Sequence, residues 1–232
     1  MQKMLIYIII FITIKPGGCA YMDFKVLKQN AKKSLEGKWG NTIAIMLVFG
    51  FIVAVASTVD RALGGLLFEP KVVNGVEINT SLSICTLIAT CLLGLGYTSY
   101  FLKVSRGKTP ELKELFSKTN FFVPYLLLSI LIAIFVSLWC LLLIIPGIIA
   151  AISYSQASKL MLDNEKMGAM ECIKKSKELM KGHKWEYFTL MLSFIGWILL
   201  AFLTCGILFF WLSPYMTVTE CNYYNELIKE KK

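Results

Sequence analysis

A single histidine, His183, and seven cysteines without a Cys-x-x-Cys pair give this chain little from which to build a zinc or iron-sulfur centre. The cysteines stand at 19, 85, 91, 140, 172, 205 and 221, mostly in apolar surroundings, where cysteine serves as a small hydrophobe. GxSxG, HExxH, P-loop and dinucleotide fingerprints are absent too, so no nucleophile, metal or nucleotide motif points to an enzyme, and no cofactor is expected. Charge is missing over the longest interval: between Phe121 and Leu162 the one formally charged side chain is Lys159.

What the chain has instead is apolar length. Mean hydropathy is +0.65 and 56% of the residues are hydrophobic, arranged in blocks too long for a soluble core, which defines a polytopic membrane protein. As one helix, Phe121 to Asn164 would reach roughly 60 Å, about twice the hydrocarbon thickness, so it must double back. Pro146-Gly147 is the expected turn, because proline lacks a donor and glycine accepts tight dihedrals. Tyr187 to Tyr224 poses the same problem, with Thr204-Cys205-Gly206 as its break and Gly206 as the turning residue. Ile43 to Val59 and Leu82 to Leu102 read as single spans, joined by a polar connection in which Val72 to Val76 suggests a small hairpin turning at Asn74-Gly75. Gly147 to Leu162, only about 24 Å as a helix, is short for a full crossing, so four clean spans plus two partial ones fit the sequence nearly as well as six.

Between these blocks lie basic amphipathic stretches. Phe24, Leu27, Ala31 and Leu35 share one helical face among lysines that include Lys32 and Lys33, and Trp39 follows as an interfacial anchor. Asp163 to Glu186 repeats the pattern with Lys174, Lys175, Lys181, Lys184 and Trp185. Thr109 and Pro110 announce a shorter third helix. Ala31 to Leu47 and Ile173 to Leu192 align as Lys-Lys-Ser, glycine, Lys-Trp and then a span, which suggests three units of surface helix plus hairpin. From Met22 onward, 20 of 22 basic residues fall on the side of these surface helices, and only Arg61 and Lys71 on the other. The positive-inside rule therefore places both termini in the cytoplasm, and the net charge of +9 signals membrane orientation rather than nucleic acid.

Residues 1–21 form a doubtful leader, signal-like after Lys3 but short, and Gly17-Gly18 is compatible with a ribosome-binding sequence ahead of a true start at Met22; residues 22–232 make one integral membrane domain. The expected fold is all-α, with about six transmembrane helices as three hairpins.

Leu142–Gly147 (LLIIPG), Tyr154, Lys174-Lys175-Ser176, Met180–Trp185 (MKGHKW), Leu192–Trp197 (LSFIGW), Gly206 and Trp211 to Tyr215 (WLSPY) together resemble the uncharacterised bacterial membrane family called domain of unknown function 975. The resemblance covers most of Met22 to Leu227. It implies a multi-pass protein of the bacterial cytoplasmic membrane and carries over no catalytic residue.

Polar candidates remain. Ser153, Tyr154 and Gln156, with Glu220, are the candidate polar pathway, although hydroxyls bonding between helices are the plainer explanation and Glu220 reads as an interfacial carboxylate. Lys159 reads as a lysine snorkelling to the surface. His183 lacks a visible orienting carboxylate and is grouped with Lys32, Lys33, Trp39, Lys174, Lys175, Lys181, Lys184 and Trp185 as lipid-surface contacts. The expected role is non-enzymatic: a membrane-structural or interaction protein binding anionic lipid, with a membrane-protein partner or a second copy. A small transporter or channel subunit is the alternative.

Overall fold

The computed structural model describes residues 23–67, 71–73, 76–78 and 84–231. The leader, the start at Met22 and the Asn74-Gly75 turn lie outside them.

Helix α1 (Phe24–Leu35) begins where the Asp23 carboxylate accepts from the Lys25 amide at 2.8 Å, and ends with Lys32 and Lys33 favourably placed at its negative pole. Its apolar stripe, Leu27, Ala31 and Leu35, is buried against protein rather than lying open on a membrane surface. A 3.6-residue period tells which face is apolar, not what covers it.

Helix α2 (Trp39–Leu67) and helix α3 (Ile84–Ser105) run antiparallel. Asp60 near the end of α2 accepts from the Cys85 and Thr86 amides at 2.9 and 2.8 Å, and eleven residues back Phe49 meets Tyr97, eleven residues further along α3. Asp60 thereby satisfies the orphan donors at the start of α3. Between them β1 (Lys71–Val73) pairs antiparallel with β2 (Val76–Ile78), Val73 opposite Val76.

The α-helix expected from Thr109 is replaced by two 3-10 turns, Leu112–Phe116 and Thr119–Phe121. Tertiary contacts override propensity here. The Glu114 carboxylate turns inward to Ser99, Lys103 and Ser117, and the Leu115 carbonyl lies so close to Gly96 that a Cβ there would stand 1.9 Å away.

Helix α4 (Phe122–Leu142) and helix α5 (Ile144–Tyr154) fold back on each other: Gly147 faces the Cys140 sulfur, and Phe135 stacks on Tyr154 with ring centroids 6.2 Å apart. The break falls at Leu143, which is extended (φ −168°, ψ 142°), three residues before the expected turn. Pro146 and Gly147 sit in the first turn of α5 instead. A proline there costs no helical bond, and the glycine permits close approach to α4.

Helix α6 (Ala157–Asp163) follows a break at Ser155-Gln156, and α7 (Ala169–Leu179) packs Cys172, Ile173, Ser176 and Leu179 inward. Helices α8 (Lys184–Leu192) and α9 (Ile195–Leu203) lead to a turn in which Cys205 and Gly206 take positive φ (51° and 86°) and the Gly206 amide donates to the Ala201 carbonyl. Helix α10 (Phe209–Glu230) returns along them, Tyr215 against Phe194 and Tyr223 against Tyr187.

Among the described residues four helical stretches are long and apolar enough to cross a membrane: Trp39–Gly64, Ile84–Ser105, Leu112–Leu142 and Lys184–Leu203. The block lengths predict six. Of the two returning segments, α5 and α6 are short and interrupted, and α10 carries Glu220, Asn222, Glu226 and Lys229.

Candidate functional site

Where α3, α6 and α10 end, their polar side chains meet. Lys159, in the first turn of α6, is only 5% exposed; its Nζ donates to Gln156 Oε1 at 3.0 Å and stands 3.8 Å from Glu220 Oε2 on α10. It does not snorkel to solvent. An amine buried inside a bundle needs a counter-charge, and Glu220, itself partly exposed, supplies it. Gln156 is fixed in turn by donating to the Ser155 hydroxyl.

Just beyond, Arg106 places its fork on Asp163 at 2.8 and 2.6 Å and its Nε on Asn225 at 3.1 Å, while Tyr224 donates to the same carboxylate. Bidentate geometry joins three helix ends at once. Bonding to Asp163 raises the guanidinium above its usual pKa.

His183 departs furthest from expectation. It is 3% exposed rather than at a lipid surface; Nδ1 lies 3.0 Å from Glu186 Oε2, Nε2 3.8 Å from Glu230, and its carbonyl accepts from Tyr223. The orienting carboxylate exists, three residues along the chain. Among the described residues no hydroxyl or thiol bonds to the imidazole, so the arrangement locks α8 to the end of α10 without forming a nucleophile and its base.

The candidate pathway residues do not share one lumen. Gln156 and Glu220 come together through Lys159. Ser153 bonds its own helix at Ile149, and its carbonyl accepts from Ser176 on α7. Tyr154 faces α4 across a cavity of ≈ 490 Å³ that Tyr125, Ser129, Ser155 and Ser158 also line. Of the lipid-contact residues, Lys32, Lys33, Lys174, Lys175, Lys181 and Trp185 are exposed, and Trp39 and Lys184 are half-buried. Among the described residues, no three His, Cys, Asp or Glu side chains gather as metal ligands.

Helices this apolar, with 6% of the most apolar window of Leu112–Leu142 buried within the protein, define a membrane-embedded helical protein of unknown activity. The chain belongs to the family described as Protein of unknown function (DUF975), whose model matches residues 22–153 and 140–231. No curated protein and no solved structure matches it.

Proposed function

We propose that this is a non-enzymatic protein of the bacterial cytoplasmic membrane, inserted as three hairpins with both termini cytoplasmic, that organises anionic lipid and a membrane-protein partner or a second copy of itself. The carrying observation is the segregation of its surface: exposed Lys32, Lys33, Lys174, Lys175 and Lys181 stand at one end, while outward-facing Leu141, Phe202 and Leu203 occupy the other. Lysines held at a membrane boundary attract anionic headgroups by roughly 1 kcal/mol each. Because the apolar stripes of α1 and α7 are spent on protein, that attraction is electrostatic and screened by salt. The repeat is supported by local geometry: Gly37 (φ +71°) and Gly182 (φ +92°) each follow a basic helix and precede one that starts beside tryptophan.

The test is lipid retention after purification in mild detergent. Anionic lipid should be enriched over its share of the membrane, and the enrichment should vanish in a Lys32, Lys174, Lys175, Lys181→Gln variant; retention at the bulk ratio by the unmodified protein rejects the proposal. Trypsin should cut at Lys174 to Lys181 only in inverted vesicles, and cleavage from the outside rejects the orientation.

A second reading, a small transporter or channel subunit, is favoured by one observation, the Lys159 to Glu220 pair set inside the bundle beside Gln156. Ion flux in proteoliposomes, lost in Gln156→Leu or Glu220→Gln, would establish it, and absence of flux under every imposed gradient would remove it.

A further inference from the structure

We infer that the groove between α1, the end of α3 and the last turns of α10 binds a phosphate group. The groove holds about 500 Å³ and is walled by Lys33, Arg106, Asn222, Glu226 and Lys229, with Asn30 and Ser34 at its α1 edge. Asn222 carries the argument: it is 7% exposed, it lines the groove, and its Nδ2 has no hydrogen-bond partner among the described residues. A buried amide donor left unpaired costs about 1–3 kcal/mol, and turning the side-chain amide toward the groove gives it a partner there.

Charge states what that occupant is. Lys229 is matched by Glu226 at 2.8 Å and Arg106 by Asp163, but Lys33 has no carboxylate among the described residues. The carbonyls of the turn after α3, which would repel an anion, are turned to other use: Lys38 Nζ donates to the Gly107 and Lys108 oxygens at 3.1 and 2.9 Å. What remains lining the groove is one ammonium without a carboxylate partner, the Asn222 amide, and the Asn30 and Ser34 side chains, neither of which bonds elsewhere among the described residues. A phosphate oxygen accepts from several such donors and balances the lysine. Two sources share that chemistry, the headgroup of an anionic phospholipid and a soluble phosphate monoester. Only the first rests on the proposed lipid contact.

The experiment uses the full chain in an uncharged detergent and follows tryptophan fluorescence on heating. Glycerol phosphate and short-chain phosphatidylglycerol are titrated separately, with dihexanoylglycerol and sodium chloride of equal ionic strength as controls. A rise in Tm with glycerol phosphate assigns a soluble ester, and a rise with phosphatidylglycerol alone assigns a lipid headgroup. Lys33→Gln, a surface change that leaves the fold intact, should weaken the effective ligand about tenfold, and Asn222→Ala should do the same. Lys113→Gln, an exposed lysine paired with Glu111 outside the groove, should leave it unchanged. The inference is overturned if neither phosphate compound raises Tm beyond the salt control, or if Lys33→Gln binds as the unmodified protein does.

Discussion

Tyr100, Phe101, Tyr223 and Tyr224, at the lysine-bearing end, are at most 1% exposed, whereas Leu141, Phe202 and Leu203, at the far tips of the hairpins, are 77–87% exposed. The buried group, with three tyrosines, is the more polar of the two, so hydropathy does not decide which end is covered. At the first end several helices converge and cover one another's side chains; at the second the hairpins stand with their greasy faces outward, and hydrocarbon must supply what neighbouring helices do not. The polar pairs follow the same division, because Lys159 with Glu220, Arg106 with Asp163 and His183 with Glu186 need partners held close and out of water.

The strongest way to break the comparison is a matched pair of truncations. Phe101→Ala should cost about 3–5 kcal/mol in reversible unfolding from micelles, as a cavity in a packed core does, while Phe202→Ala should stay within about 0.5 kcal/mol. If the two cost the same, the division is false. Glycines give the next contrast. Gly96→Ala drives a methyl into the Leu115 carbonyl and should cost about 1–3 kcal/mol, whereas Gly196→Ala meets open space and should be neutral or slightly stabilising in the same assay. Glu220→Gln should cost about 1–2 kcal/mol, less than a fully buried pair because the carboxylate is partly exposed and 3.8 Å distant; adding Lys159→Met should recover most of it, which a double-mutant cycle reads directly. Smallest, Lys174→Gln and Lys175→Gln should each change stability by under about 0.5 kcal/mol while lowering retained anionic lipid.

Much of the architecture was legible in the chain, because apolar block length and the position of glycine are local properties. The reversal near residue 146 and the Thr204 to Gly206 turn follow from length alone, although the first moved to Leu143 once Gly147 proved to serve contact with Cys140. The site was less legible. Arg106 with Asp163 and Lys159 with Glu220 lie 57 and 61 residues apart, and no pattern in one sequence pairs them. His183 and Glu186 are different: a spacing of three on a nascent helix turn was there to be read, and the exposed lysines around it concealed a buried pair. The stripes of α1 and α7 misled for a further reason, since lipid and a neighbouring helix demand the same periodicity.

Among the described cysteines only Cys140 and Cys205 are exposed, each beside a hairpin reversal, while Cys85 is half-covered and Cys91, Cys172 and Cys221 are enclosed. Nature has thus left two thiols as beacons on the tips opposite the lysines. A water-soluble maleimide offered to intact cells reports the sidedness of both hairpins without any engineered label, and the enclosed sulfurs serve as its silent background.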